Sequence, residues 1–412
     1  MEASVLFFLT SGLFLGWALG ANDAANVFGT AVATRMIRFG TAAAVCSLFV
    51  ILGAVFGGGG AAETLGRLGA VDSLAGSFMA ALAAGFSVYV MTRCGLPVST
   101  TQAIVGGIIG WNLFTGTPTD SRVLLKILAT WVVSPFLAAG FSAVLFLATR
   151  WAVRMFRPHL LRLDAYTRVG LIIAGAFGAY SLGANNIGNV MGVFVPAAPF
   201  GTLALGGGLS LSGAQQLFLL GSIAIAVGVV TYSGRVMSTV GRGIFPLSPA
   251  AAWVVVVAHS LVLFLFASQG LERFLAAQGL PTIPLVPVSS SQAVVGAVLG
   301  IGLLQGWRNI RWRVLGSIAA GWVLTPLVAG LVCFLGLFFL QNVFDQPVHR
   351  AAAIFATQPG APAMERKTPP FPLLFPAPVA PNPKRRSIPI GWGGLSIRRG
   401  ANSIPYRYVI QF

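Results

Sequence analysis

Residues 20–29 read GANDAANVFG, and residues 183–192 read GANNIGNVMG. Each copy lies inside a long apolar run, 3–34 for the first and 169–195 for the second. Outward from each copy the same parts return in the same order. Apolar runs at 41–60 and 73–92 follow the first, and runs at 215–233 and 250–268 follow the second. LPVSTTQAIVGGIIGW (96–111) is then matched by VPVSSSQAVVGAVLGI (286–301), each opening a shorter apolar stretch. The last runs, 123–148 and 314–340, carry Trp131-x-x-x-Pro135 and Trp322-x-x-x-Pro326. Three motifs in one order across two halves mark an internal duplication.

The composition says what solvent these runs meet. The 412 residues are 56% hydrophobic and only 8% charged, against about 25% charged in soluble domains. Several runs reach the ~20 residues that cross a bilayer. The chain is therefore expected to be an all-α polytopic membrane protein. Its net charge of +17 sits mostly in loops between apolar runs and in the C-terminal tail. No aromatic–basic interleaving accompanies it, so no nucleic-acid partner is expected; the charge reads as topology and contact with membrane lipid. Cys46, Cys94 and Cys333 are far apart, without metal-ligand spacing or a disulfide framework. No Lys or Arg precedes Arg35, so residues 1–20 lack the basic start of a cleavable signal.

Charge also orients the halves. The segment 149–168 holds Arg150, Arg154, Arg157, Arg162 and Arg168 against Asp164, which predicts a cytoplasmic basic loop. Counting crossings backward puts Arg35 and Arg38 inside and Met1 outside. Counting forward puts Arg235, Arg242, Arg308, Arg311 and Arg313 inside. The division is a transmembrane repeat at 1–148, the loop at 149–168, a second repeat at 169–341, and a tail at 342–412. The halves enter from opposite sides, as inverted-topology repeats. Residues 73–114 and 250–303 read as two full crossings each or as re-entrant hairpins; a hairpin tip at Ser99–Thr101 makes the better chemistry. The tail holds half of the 24 prolines and nine Lys or Arg residues, a composition that predicts disorder.

Asp23 is the carboxylate placed deep in an apolar run, and an intramembrane ionisable residue is a functional candidate by default. Gly20, Asn22 and Asn26 around it suggest a broken helix, whose freed carbonyls and Asn oxygens suit Na⁺; Asp23 alone suits a proton. The bland alternative is an Asp capping a restarted helix. The second copy offers Asn185, Asn186 and Asn189, oxygens without charge. Ser99-Thr100-Thr101-Gln102 and Ser289-Ser290-Ser291-Gln292 each follow a proline and open an apolar helix. Unpaired N–H groups at a helix start, with three hydroxyls, make an anion site. Two facing starts would hold a tetrahedral oxyanion; the bland alternative is two ordinary N-caps.

GANDAANVFGTAV and GANNIGNVMG, followed by PVSTTQAIVG and PVSSSQAVVG, resemble the inorganic phosphate transporter (PiT) family over about residues 1–340. The resemblance implies import of inorganic phosphate with Na⁺ or H⁺. It implies phosphate near Ser99, Thr100, Thr101, Ser289, Ser290 and Ser291. It implies cations near Asp23, Asn26, Gln102, Asn186, Asn189 and Gln292, with Na⁺ at Asp23, Asn26, Asn186 and Asn189. Many members carry Asp at both GAN motifs, and Asn186 departs from that pattern. Sulfate-carrying relatives keep sulfate, or another oxyanion, open as the cargo.

The expectation is thus a secondary transporter working by alternating access, with Asn22 and Asn185 also at its site. It would need no cofactor beyond the coupling ion. A bacterial plasma (inner) membrane is the expected location, and a homodimer is compatible with the fold. A passive anion channel is the rival, but no charged ring is visible. No Ser/His/Asp or Cys/His arrangement points to an enzyme. His259 reads as a helix-packing polar residue. Trp111, Trp131, Trp151 and Trp322 read as interface anchors or packing, and Gly57–Gly60 as a flexible helix end.

Overall fold

A computed structural model describes residues 3–349, apart from 95–97, 198, 207–208, 235, 238–244, 246, 307 and 309. The described residues all belong to one unit spanning residues 1–353. Pro97, Arg235, Arg242 and the tail beyond residue 349 lie outside them.

The first half forms α1 (Ala3–Ala33), α2 (Phe39–Gly57), α3 (Gly59–Gly69), α4 (Leu74–Arg93), α5 (Thr100–Thr115) and α6 (Ser121–Phe156). The second forms α7 (Leu160–Met191), α8 (Gly213–Thr231), α9 (Pro249–Ala267), α10 (Gln269–Ala277), α11 (Ser290–Gly306) and α12 (Trp312–Asn342). A short antiparallel ribbon, β1 (Leu203–Gly206) and β2 (Leu209–Leu211), links α7 to α8. Eight helices, α1, α2, α4, α6, α7, α8, α9 and α12, are long and apolar enough to span a bilayer. The protein is a predominantly helical, multi-pass membrane protein.

Local chemistry sets the helix starts. The Ser73 hydroxyl accepts from Gly76 N at 3.0 Å and opens α4. Asp120 accepts from the N–H groups of Arg122 and Val123 and opens α6. Ser212 and Gln215 close a reciprocal capping box on α8. Pro249 stands in the first turn of α9, where a missing N–H costs nothing.

One expectation is corrected at the repeated motif. Neither GAN stretch breaks its helix: residues 20–26 lie within continuous α1, and 183–189 within continuous α7. The glycines serve approach instead. A Cβ on Gly20 would collide with the carbonyl oxygen of Ile225 on α8. A Cβ on Gly183 would collide with that of Val50 on α2. Small residues that let backbones touch are the usual means of packing helices in lipid.

These contacts are reciprocal between the halves. Gly20 meets Ile225 and Gly228 meets Trp17, joining α1 to α8. Gly183 meets Val50 and Gly53 meets Tyr180, joining α7 to α2 in the same way. Farther on, Gly106 and Gly110 of α5 seat on Pro326 and Gly330 of α12. Gly296 and Gly300 of α11 seat on Pro135 and Ala139 of α6. Each half thus packs its motif helices against the other half. Phe28 lies over Gly175, Val27 by Gly178, Val190 by Gly16, and Met191 by Gly12. Hence α1 and α7 run antiparallel.

The same neighbours give the directions of the helices in each half. Phe78 stacks on Phe7 at 5.4 Å, Gly85 abuts Leu15, and Tyr89 lies 6.1 Å from Trp17. So α4 runs alongside α1 in the same direction. Helix α5 then returns, Gly107 against Ala80 and Trp111 against Gly76. Val98, just before α5, lies beside the middle of α1, where its carbonyl accepts from Asn22 Nδ2. In the second half α9 follows α7: Trp253 by Gly170, Ser260 by Gly178, and Phe264 5.3 Å from Phe177.

Two further expectations change. The basic segment 149–168 is not an open loop: α6 runs to Phe156 and α7 starts at Leu160, leaving a turn at 157–159. Arg157 takes φ 41° there, ending α6 in the left-handed region. The start of the tail is ordered rather than disordered. Val348 is buried, and its carbonyl accepts from Trp111 Nε1 at 2.9 Å. Trp111 is correspondingly a fully buried packing residue, while Trp151 is exposed.

Candidate functional site

The starts of α5 and α11 meet where α1 and α7 cross. All fourteen residues expected from the sequence lie there, none more than 5% exposed. Asp23 is the only buried carboxylate among the described residues, and no Lys or Arg is buried among them. Its Oδ2 accepts from Thr100 Oγ1 at 2.9 Å and from Asn186 Nδ2 at 3.3 Å. Its Oδ1 lies 3.4 Å from Asn26 Nδ2. The lone negative charge is thus held by neutral donors from three helices.

The asparagines stitch each GAN helix to its own hairpin. Asn22 Nδ2 donates to the Val98 carbonyl at 3.4 Å. Asn185 Nδ2 donates to the Val288 carbonyl at 2.8 Å, and Val288 N returns a bond to Asn185 Oδ1 at 3.0 Å. Asn185 Nδ2 also donates to Asn186 Oδ1. Other bonds cross between halves. Asn26 Nδ2 donates to Ser290 Oγ at 3.1 Å, Asn189 Nδ2 to Thr101 Oγ1 at 2.9 Å, and Thr101 Oγ1 to the Val288 carbonyl at 3.2 Å.

The hydroxyl triplets divide their work. Ser99 Oγ accepts from Gln102 N at 3.2 Å, and Ser289 Oγ from Gln292 N at 3.3 Å. The first hydroxyl of each triplet is therefore an ordinary N-cap. The second and third, Thr100, Thr101, Ser290 and Ser291, occupy the first turns of α5 and α11 beside unpaired backbone N–H groups. Ser289 and Ser291 hydroxyls lie 3.2 Å apart.

Four side-chain carbonyl oxygens here are buried without a hydrogen-bond partner: Asn26 Oδ1, Asn189 Oδ1, Gln102 Oε1 and Gln292 Oε1. They form two pairs at matched positions of the repeat. A buried acceptor left unpaired costs about 1–3 kcal/mol, and hard oxygen acceptors are what an alkali cation takes. The arrangement combines hydroxyl and N–H donors with one carboxylate and a set of free oxygens. His259, read from the sequence as a helix-packing polar residue, stands at this site: its Nε2 lies 3.0 Å from Ser290 Oγ. Only its position within a helix next to the second hairpin could have flagged it.

A helical membrane protein with an enclosed polar cluster at the crossing of duplicated helices has the architecture of a transporter. The chain belongs to the phosphate transporter family (PHO4), whose model matches residues 19–333 and 278–363. A provisionally named phosphate permease of Methanocaldococcus jannaschii is 28% identical, over 81% of this chain and 97% of its own length. Similarly named proteins of Pyrococcus furiosus and Haemophilus influenzae are 26% and 24% identical, each over 81% of this chain. A solved structure described as the sodium-dependent phosphate transporter superposes with a TM-score of 0.64. It is 22% identical and covers 83% of this chain and all of its own, a likeness of fold.

Proposed function

We propose that the chain is a secondary transporter that imports inorganic phosphate together with a cation by alternating access between inverted-topology repeats. The observation that carries this reading is the convergence of both duplicated hydroxyl triplets on the first GAN motif, Thr100 on Asp23 and Ser290 on Asn26. Phosphate takes the donors: the first-turn N–H groups of α5 and α11 with the hydroxyls of Ser290 and Ser291, joined by those of Thr100 and Thr101 once they turn from Asp23 and the Val288 carbonyl. The cation takes the acceptors: Asp23 with Asn26 Oδ1, Asn189 Oδ1, Gln102 Oε1 or Gln292 Oε1. In a low-dielectric site each charge favours entry of the other, which couples their binding. Sodium is favoured over a proton, because a proton needs one acceptor and leaves the carbonyl oxygens unpaired. The sodium-dependent neighbour agrees with that choice.

The acceptors also favour phosphate over sulfate. Phosphate keeps at least one P–OH donor near neutral pH, which a buried acceptor can receive. Sulfate has none, and a site with unpaired acceptors rejects a ligand that cannot fill them. A channel is disfavoured because every candidate residue is enclosed.

The test is radiolabelled phosphate uptake into proteoliposomes with Na⁺ and pH gradients imposed separately and sulfate as competitor. Uphill uptake driven by Na⁺ and insensitive to sulfate is expected; flux that only follows the phosphate gradient would overturn the proposal. Replacing Ser99, Thr100 and Thr101 by alanine is expected to raise the half-saturating phosphate concentration at least tenfold, roughly two hydrogen bonds' worth. An unchanged value would remove the first hairpin from the anion site.

A further inference from the structure

His259 lies on α9, the arm leading into the second hairpin, and is fully buried. Alignment of the GAN motifs matches Leu15 with Gly178; Leu15 abuts Gly85 and Gly178 abuts Ser260. The position matching His259 in the first half is therefore Ala84. An imidazole stands on one side of the pseudo-symmetric site and a methyl group on the other.

Donor counting at Ser290 gives the imidazole its role. The hydroxyl has one proton and two lone pairs. Asn26 Nδ2 is donor-only and takes one lone pair, at 3.1 Å. His259 Nε2 is the second partner at 3.0 Å, and its Nδ1 is buried without any partner. With the ring proton on Nδ1, Ser290 would spend its proton on His259 and an N–H would stay buried and unpaired. With the proton on Nε2, His259 fills the second lone pair and Ser290 keeps its proton for a third group. Either form leaves Nδ1 unpaired, so an anion that accepts from Ser290 selects the form with the proton on Nε2. The matching hydroxyl, Thr100, already gives its proton to Asp23 Oδ2.

We infer that His259 is a positioning residue for the anion: by donating to Ser290 Oγ, it holds that hydroxyl as a dedicated hydrogen-bond donor to phosphate. The two halves of the site then differ in function. The second hairpin grips the anion through Ser290, while the first is tied through Thr100 to the coupling carboxylate. The inference rests on the reading of the hydroxyl cluster as the phosphate site.

Initial rates of phosphate uptake by the full chain in proteoliposomes, at saturating Na⁺, test both. His259→Leu is expected to raise the phosphate KM about fivefold, the effect of one net hydrogen bond. The maximal rate and the half-saturating Na⁺ concentration stay unchanged. His259→Gln places an amide N–H near the Nε2 position and stays within about twofold of the parent. His259→Asn sets its amide back near Nδ1 and behaves like His259→Leu. The double variant His259→Leu/Ser290→Ala has the KM of Ser290→Ala alone, because both changes remove one interaction. Additive effects, or equal impairment in the Gln and Asn variants, would overturn the role of His259 while leaving the site reading intact. An unchanged KM in Ser290→Ala would instead overturn the site reading, and the inference with it. Should His259→Leu not fold, the Gln–Asn comparison decides alone.

Discussion

Asp23→Asn abolishes concentrative phosphate uptake while the protein still folds. The substitution keeps the shape of the side chain and its acceptor for Thr100, and removes only the charge. Asn186 occupies the equivalent place on α7 with no buried carboxylate of its own, so an amide is structurally acceptable there. What is lost is the sole buried negative charge among the described residues, set among donors that are all neutral. Removing one partner of a buried charge pair costs about 3–5 kcal/mol, more than a hundredfold in cation affinity. Uptake under an imposed Na⁺ gradient should fall to the level of empty liposomes. Full gradient-driven accumulation by the variant would mean that Asp23 is a structural group and that the cation binds elsewhere.

The second large effect concerns packing rather than chemistry. Gly183→Ala adds one methyl group, which collides with the Val50 carbonyl oxygen. A backbone atom of a neighbouring helix cannot rotate aside, so α7 and α2 must separate. Overpacking of this kind costs about 1–3 kcal/mol, and here the helix also carries Asn185, Asn186 and Asn189. Melting in detergent, followed by the labelling of buried Cys46 and Cys333, should shift down by several degrees. Gly140→Ala and Gly316→Ala are controls, since nothing stands within 4 Å of a Cβ at either place. They should melt at or above the parent, because alanine favours a helix by about 1 kcal/mol over glycine. A Gly183→Ala protein that melts with the controls would disprove the tight contact.

Much of this was legible from the letters alone. The duplicated Ser99–Gln102 and Ser289–Gln292 motifs picked out residues that the fold gathers, because hydroxyls, prolines and apolar runs have strong local signatures. The GAN motifs misled on one point, since glycine is ambiguous: it relaxes a helix or admits a neighbour. Which of these holds depends on whether Ile225 or Val50 lies opposite, and that is information from another part of the chain. The partner of His259 was hidden for the same reason. That partner, Ser290, is fixed only when α9 and α11 come together, and a single imidazole in an apolar run has no periodicity to betray it. The helical nature of 149–168 escaped because Arg-rich ends of long helices look like loops when judged by polarity.

The exchange of partners between the halves bears on how the chain is made. Helix α5 is synthesised early, but its glycine face fits Pro326 and Gly330, which belong to the last helix. Helix α6 likewise waits for α11. Neither half can complete its interior until the other has been threaded into the bilayer, so residues 1–148 alone are not a folding unit. A single repeat expressed by itself would expose the very faces that the second copy covers. The present chain carries both copies in one polypeptide, which fixes their ratio at one to one and frees each to lose the residues its twin retains.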